Sequence, residues 1–463
     1  MLFSGTACAV RTAMPDCIAG CSGEETLKIA MIGGGYVGLV SGACFAAFGT
    51  EVAVVEADPA RLQALQQGRI PIYEPGLTEL VAENVAKGNL SFSADLAGAV
   101  QGADAVFIAV GTPTRRGDGH ADLTYVYAAA EQVARCLTGY AVVVTKSTVP
   151  VGTGRRIAAI IEHVAPGLNV DVASNPEFLR EGSAIRDFMQ PDRVVVGCNA
   201  SRAREVLGRL YAPLVTRPDL MIYTGVETAE LIKYAANSFL AMKVTFINEM
   251  ADLCEKVGAN VKEVAHAIGL DARIGPRFLQ PGPGFGGSCF PKDTLALVRI
   301  AQEAGAPSRL IEAVVAVNDA RKAGMSARII AACGGTVRGK RIGVLGLTFK
   351  PDTDDMRDSP SIPIVARLVE DGAIVSVYDP QGMDLARPLL PADVTYCRSG
   401  EEASEGADAL VLITEWEAFR TMTPEAVRER MAGKVVVDLR NFFDPAAMQA
   451  AGLQYHGIGT TAR

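Results

Sequence analysis

The chain has 463 residues, enough for about three domains at roughly 150 residues each and for several buried cores. Its 44 Lys and Arg against 52 Asp and Glu give a net charge of −8, which argues against nucleic acid or an anionic membrane as partner, since both need a basic surface. With 49% hydrophobic and 21% charged residues, 47 glycines and one tryptophan, the composition excludes a disordered chain and points to an alanine- and valine-rich α/β protein.

In chain order, residues 1–26 have one early arginine and no long apolar core. They make a poor signal peptide and are expected to be a disordered extension or to follow an upstream start. Ile29 to Thr50 carries no charge but contains Gly33, Gly34, Gly35, Gly38, Gly42 and Gly49. It is read as a buried strand, Leu27–Ile32, a glycine turn and a buried helix to Phe48 rather than a membrane span. A second strand, Glu51–Val55, ends at Glu56 and Asp58. Further strands are predicted at Ala103–Val110, Tyr140–Thr145, Val170–Ala173 and Arg193–Gly197. Strands alternating with helical patterns imply a parallel, doubly wound sheet. Glu227–Val257 has no Gly or Pro until Gly258, and its apolar residues recur at helical spacing. Such a helix spans about 45 Å and is read as a connector between domains. Beyond it the first pattern returns in the same order. Arg341–Leu345 is followed by Gly346, Ala373–Val377 ends in Asp379-Pro380 as the earlier strand ends in Asp58-Pro59, and Gly406-Ala407-Asp408-Ala409 echoes Gly102-Ala103-Asp104-Ala105. The expected architecture is two Rossmann-like, doubly wound α/β domains joined by a long central helix, divided at 1–26, 27–224, 225–331 and 332–463.

The first glycine turn fits G-x-G-x-x-G at Gly33, Gly35 and Gly38. The three allow a tight turn, close approach to a pyrophosphate, and close helix–strand packing, and the following helix offers free N–H groups to the phosphates. Glu56 stands where an acid can bond both ribose hydroxyls and disfavour a 2′-phosphate, so NAD is expected rather than NADP. Arg61 either contacts the adenosine phosphates or is a solvated helix charge. The loops Val110–Thr114 and Lys146–Pro150 lie past strand ends, where open α/β sheets bind ligands. Glu177, in the polar loop Asn175–Gly182, is either a general base or a solvated acid. Lys233 and Asn237, four residues apart on the long helix, share one face. They either hold an anionic oxygen or form a surface stripe.

The sharpest segment is Pro281–Asp293, whose Gly and Pro run lets the backbone wrap a ligand and supply N–H donors. It presents Cys289, with Lys292 near it and Asp293 four residues on, as a candidate thiolate nucleophile. The ten cysteines are otherwise scattered, with no Cys-x-x-Cys. That pattern and the four histidines suggest neither a disulfide framework nor zinc, so no metal is expected, in a reducing, cytoplasmic compartment.

At this point the chain resembles the nucleotide-sugar 6-dehydrogenases. The matching phrases are KIAMIGGGYVG, IPIYEPGL, GTPT, KSTVP, NPEFLREG, the KYAANSFLAMKVTFINE helix, GFGGSCFPKD and FKPDTDDMRDSP, with VVDLRN near Arg440. The resemblance implies oxidation of a sugar C6 alcohol to a carboxylate in two steps, each reducing one NAD, through a thiohemiacetal and a thioester on Cys289. It implies Lys233 and Asn237 as oxyanion stabilisers that also touch substrate, Asp293 as the residue assisting water, and Glu177 with Thr148 as a water-linked acid/base pair. The implied cofactor contacts are Gly33, Gly35, Tyr36, Val37, Gly38, Glu56, Arg61, Thr112, Thr114, Thr148, Glu181, Lys292 and Arg357. The implied sugar-nucleotide contacts are Phe178, Leu179, Arg180, Phe278, Leu279, Gly282, Gly286 and Lys350, with Arg273 entering a neighbouring subunit's site. That last role implies at least a homodimer with the long helix at its interface. Phe285, Ser288 and the LAMKVTFINEM helix point to UDP-glucose, the alternatives being GDP-mannose and UDP-N-acetylmannosamine. Two departures stand out: Glu56 replaces the family's commoner Asp, and the first residues have no counterpart. A non-catalytic NAD-sensing protein is the different class of reading, and the joint presence of Cys289, Lys233, Asn237 and Asp293 argues against it.

Overall fold

The computed structural model describes residues 26–115 and 119–460, so the expectation for the N-terminal extension, with Cys8, Cys17 and Cys21, lies outside the described residues. Two open sheets stand one after the other along the chain. The first has strands β1 (Lys28–Ile32), β2 (Glu51–Val55), β3 (Leu90–Ser93), β4 (Ala105–Ile108), β5 (Ala141–Thr145), β6 (Val170–Ser174), β7 (Val194–Gly197) and β8 (Met221–Thr224). They lie in the order β3-β2-β1-β4-β5-β6-β7-β8. β1 pairs in parallel with β2 from Lys28↔Glu51 to Ile32↔Val55, and with β4 from Ile29↔Ala105 to Ile32↔Ile108. The order reverses between β1 and β4, and the glycine turn leaves the sheet at that switch point. β4 and β5 are buried along their whole length because helices cover both faces of the sheet. The charge-free stretch is therefore β1, the turn and a buried helix, Tyr36–Ala47. Among the described residues no helix is long and apolar enough to cross a membrane.

One expectation needs correction, because the sheet is not wholly parallel. β7 runs antiparallel to β6, through Ser174↔Gly197, and β8 then pairs in parallel with β7. The residues between β6 and β7 stay at the carboxyl end of the sheet as a polar loop and a short helix, Ala184–Met189. The chain re-enters the sheet from that end and must run backwards.

The second sheet has β9 (Arg341–Leu345), β10 (Ile374–Tyr378), β11 (Thr395–Tyr396), β12 (Ala409–Leu412), β13 (Val435–Asp438) and β14 (Gln454–His456). All its pairs are parallel, in the order β11-β10-β9-β12-β13-β14. This is the order of the first six strands of the first sheet, as the sequence echo implied. The acid ending β10 is nonetheless spent internally. Asp379, buried, accepts from the backbone N–H groups of Leu347, Thr348, Gln381 and Gly382 and from the Trp416 indole. It has no carboxylate oxygen left for a ribose in the manner expected of Glu56.

The helix Val226–Val257 has 32 residues, about 48 Å, and ends at Gly258 in the left-handed region, φ 76°. Near its start Ala229 presses on β7: a Cβ at Gly197 would lie 2.5 Å from the Ala229 Cβ. Near its end Ile247, Ala251 and Cys254 enter the core of the second sheet. Burial at both ends fixes the helix as the strut between the two sheets. Its outer face carries Leu231, Phe239, Phe246, Leu253 and Val257, all exposed.

Candidate functional site

Four loops lie at the carboxyl ends of β1, β4, β5 and β6, and those after β5 and β6 bond the long helix, through Gly152 to Glu230 and Glu177 to Lys233. The first is the glycine turn. Gly33 has φ 109°, and a Cβ there would lie 2.7 Å from the Ala109 carbonyl oxygen. A Cβ on Gly38 would stand 2.0 Å from the Gly33 oxygen, so any side chain would force helix and strand apart. At Gly35 a Cβ would meet nothing within 4 Å. The turn is thus open at Gly35, and no side chain caps the first turn of the helix Tyr36–Ala47. Those N–H groups and Tyr36–Val37–Gly38 fit a dinucleotide's phosphates. Glu56, buried, closes the turn: it accepts from Gly34 N at 3.1 Å and Asp58 N at 2.8 Å, with the Arg61 guanidinium 3.4 Å away. The loops of β4 and β5 are tied together where the Thr112 hydroxyl donates to the Thr148 carbonyl at 3.1 Å. Thr114 lies further out, in a bridge with Ala121.

The second feature is a buried chain of charge. Lys233 and Asn237 are not a surface stripe, since both are buried, as are Glu177 and Asp293. The Lys233 ammonium pairs with Glu177 at 2.9 Å. Asn237 Nδ2 donates to Asp293 Oδ2 at 2.6 Å, and the other Asp293 oxygen takes Lys292 Nζ at 2.6 Å. Glu177 is therefore not the solvated loop acid that its position also permitted, and it also accepts from Leu179 N at 2.6 Å. Burial opposes the Lys233 charge, but Glu177, Cys289 and Asp293 outweigh it and hold its pKa above the ordinary lysine value.

Cys289 stands at the N-terminal boundary of the helix Phe290–Glu303 without a side-chain capping bond, and Ser288 Oγ lies 3.5 Å from its sulfur. A thiol at a helix start beside a lysine was expected to be a thiolate. Burial decides otherwise and pushes it up to about 11, although Lys233 pulls it down. Lys292 points to Asp293 instead, and Lys233 is the cation that acts on the thiol.

The glycine-rich run before Cys289 is held by residues the sequence reading passed over. Gly282 N donates to Asn248 Oδ1 at 2.8 Å, and its carbonyl accepts from Arg321 Nε at 2.6 Å. Asn318 clamps both sides of the Phe285 peptide, at 2.8 and 3.1 Å. Arg440 abuts Gly282 and donates to the Phe349 carbonyl at 2.9 Å. Of these Asn248 and Arg440 had a sequence signal, in the KYAANSFLAMKVTFINE and VVDLRN phrases, while Asn318 and Arg321 had none. A Cβ on Gly286 would lie 2.3 Å from the Asp358 carbonyl oxygen, so the second sheet's loop at 349–359 packs on this run.

That same loop reaches Glu181. Glu181 Oε1 accepts from Ser288 Oγ at 2.9 Å and faces Arg357 at 3.5 Å, Oε2 accepts from Thr353 at 3.2 Å, and Lys350 Nζ donates to the Glu181 carbonyl. Burial and then Asp355 raise the Glu181 carboxyl to about 7, against Arg357. Phe178 lies beneath Lys233 and Arg193, its ring centroid 5.4 and 3.9 Å from their cationic groups. Arg180 pairs with Asp187 at 2.6 Å. Phe278, at φ 65°, approaches the Phe290 ring, and Leu279 is buried. Arg273 stands apart from the cluster: its side chain is 89% exposed and bonds Asp271.

Residues 27–215, 227–320 and 343–445 match the sequence models of the UDP-glucose/GDP-mannose dehydrogenase family, its NAD binding, central and UDP binding domains respectively. A UDP-glucose 6-dehydrogenase of Rhizobium meliloti (strain 1021) is 57% identical over 435 residues, 94% of this chain and 99% of that protein. A UDP-glucose 6-dehydrogenase of Bacillus subtilis (strain 168) is 46% identical over 94% of each chain. Among solved structures, a UDP-glucose dehydrogenase from the hyperthermophilic archaeon Pyrobaculum islandicum superposes with a TM-score of 0.88 at 39% identity, covering 96% of this chain and all of that one.

Proposed function

The chain belongs to the UDP-glucose/GDP-mannose dehydrogenase family and is an NAD-dependent dehydrogenase, and on that premise we propose that it oxidises UDP-glucose at C6 to UDP-glucuronate through a covalent bond to Cys289. The observation that carries the proposal is the buried chain Glu177–Lys233 and Asn237–Asp293–Lys292 beside the thiol. A 57% identical relative named for UDP-glucose supports the substrate over GDP-mannose and UDP-N-acetylmannosamine.

NAD, when bound, accepts a hydride in each of the two oxidations. In the first, the C6 alcohol gives up its hydroxyl proton toward the Glu177–Lys233 pair, with Thr148 orienting the intervening water, and becomes an aldehyde. The Cys289 sulfur then bonds C6 and its proton passes to the former carbonyl oxygen, giving a neutral thiohemiacetal. That step fits a resting thiol. The second oxidation removes the C6 hydrogen and the hydroxyl proton and leaves a thioester. Asp293 holds the water that attacks it; C–O forms, C–S breaks, sulfur regains a proton and the acid leaves with the second proton to solvent. Preorganised Lys233 and Asn237 donors stabilise the oxyanion in each tetrahedral state, worth several kcal/mol. The covalent hold keeps the aldehyde from escaping. Phe178, Leu179, Arg180, Phe278, Leu279, Gly282, Gly286 and Lys350 line the sugar-nucleotide side, while Glu181, Lys292 and Arg357 line the reacting end of the cofactor.

Two NADH per UDP-glucose, with no free aldehyde, are the expected yield in a stoichiometric assay across the three nucleotide sugars. One NADH per sugar would defeat the covalent mechanism. Turnover of GDP-mannose alone would defeat the substrate.

The exposed stripe Phe239, Phe246 and Leu253 recurs every seven residues on the long helix. It supports a homodimer in which Arg273 reaches the partner's site. Phe246→Glu is expected to convert the assembly to monomers in sedimentation velocity and to lower activity with it. A Phe246→Glu protein that sediments as wild type would remove the stripe from the interface.

A further inference from the structure

The phrase IPIYEPGL has so far no task, yet its glutamate sits at a junction. Glu74 is buried, 6% exposed. Its Oε1 accepts from Ala184 N at 2.7 Å, its Oε2 accepts from Gly182 N at 2.6 Å, and the Tyr36 hydroxyl donates to the same Oε2. Tyr36 is the first residue of the helix that follows Gly35, so its ring tethers the turn whose N–H groups face the cofactor diphosphate. Gly182 and Ala184 end the loop that carries Glu177, Phe178 and Glu181. Gly182 is also where this loop touches the second sheet: a Cβ there would lie 2.4 Å from the Asp352 carbonyl oxygen. One carboxylate thus joins the cofactor turn to the substrate loop, at the point where the loop meets the segment bearing Lys350 and Arg357.

The chemistry suits a fixed joint. Two backbone N–H donors and one phenol satisfy three of the carboxylate's acceptor sites, and charge-assisted bonds of this kind are short and strong. Burial first, then Glu74, hold the Tyr36 phenol far above its ordinary pKa, so it remains a donor throughout the working pH range.

We propose that Glu74 is a positioning residue which, through Tyr36, Gly182 and Ala184, locks the cofactor turn to the loop bearing Glu177 and Glu181 and so couples NAD binding to the placement of the acid/base loop. The half concerning the substrate loop rests on the UDP-glucose reading above; the half concerning NAD does not.

The test is calorimetric titration of NAD into the full-length wild type, Glu74→Gln, Tyr36→Phe and the double variant, with thermal midpoints measured alongside. Glutamine turns one acceptor oxygen into an NH2 that opposes a backbone N–H, and NAD affinity is expected to fall about tenfold. Tyr36→Phe, which leaves both backbone bonds to Glu74 in place, is expected to weaken NAD about three- to fivefold with little change in midpoint. Residues acting through one joint couple, so the double variant should bind no more than about twofold more weakly than Glu74→Gln alone. A lowered midpoint with NAD affinity within twofold of wild type would make Glu74 a mere structural anchor and overturn the proposal, as would fold-changes that multiply. If Glu74→Gln does not fold, Tyr36→Phe decides alone, and wild-type NAD affinity there is fatal. The KM for UDP-glucose should rise together with the NAD dissociation constant in Glu74→Gln; a KM within twofold of wild type removes the coupling half. A wild type that does not turn over UDP-glucose sinks the substrate reading while the NAD titrations still judge the joint.

Discussion

Cys289→Ala is expected to stop formation of the sugar acid, a loss on the order of 10³-fold or more in kcat, as for removal of a covalent nucleophile elsewhere. The first hydride removal needs no sulfur, so a single turnover should still release at most one NADH per site and then stall. Rapid-mixing absorbance counts that NADH, and mass spectrometry of the quenched mixture identifies the products. Acid formed at the wild-type rate would show that Cys289 forms no bond to substrate. The resting state of the thiol gives an independent check. With a pKa of about 11, roughly one sulfur in 10⁴ is a thiolate at pH 7, and the thiolate is the reactive form. Alkylation of Cys289 by iodoacetamide in the free protein should therefore rise about tenfold per pH unit between pH 7 and 9. A rate already flat at pH 7 would mean that Lys233 and the helix start overcome burial. The sulfur would then attack as a preformed thiolate.

The sequence made the frame of this site visible and left its wiring hidden. β2 and β9 begin and end where the apolar runs do, and the long helix starts within one residue of its predicted position. Uninterrupted apolar periodicity and a glycine stop are local signals. β3, β8, β11, β13 and β14 have two to four residues and show little period, whereas β4 and β7, four residues each, were visible inside longer apolar runs. The reversal of β7 was equally invisible, because it follows from where the preceding loop docks. Glu177 shows the same limit at a single side chain. Nothing near position 177 says whether the acid meets water or a lysine 56 positions later, and only the crossing of the β6 loop with the long helix decides it. Lys292 misled for the opposite reason: its nearness to Cys289, three positions back in the chain, suggested contact, while its immediate neighbour Asp293 takes its ammonium. Asn318 and Arg321 looked like ordinary polar helix positions, since a side chain that mimics a peptide partner carries no mark in a single sequence. Glu74, Asn248 and Arg440 did carry one, each lying in a phrase that bore the resemblance, yet a phrase names a position without naming its bonds.

Lys233→Met is expected to lower kcat by about 10²- to 10³-fold, the usual cost of removing one preorganised oxyanion donor, and to destabilise the fold as well. Removing one partner of a buried ion pair leaves the other charge uncompensated, at a cost of about 3–5 kcal/mol, and Glu177 is that charge here. A fall in activity alone would not separate the two effects, but the double variant Lys233→Met/Glu177→Gln does. With the stranded carboxylate neutralised, most of the lost stability should return in urea melts, while kcat should stay at or below the Lys233→Met value, because neither the oxyanion donor nor the acid/base group is restored. The thiol supplies a third measurement, free of substrate. Lys233 pulls the Cys289 pKa down, so its removal must raise that pKa further, and alkylation at pH 9 should be slower in Lys233→Met than in wild type. The second charge change partly reverses this, since Glu177 pushes the thiol up; the double variant should alkylate faster than Lys233→Met. If stability and kcat recover together in the double variant, Lys233 serves only to neutralise Glu177. The oxyanion would then be held by Asn237 and the backbone N–H groups around Cys289.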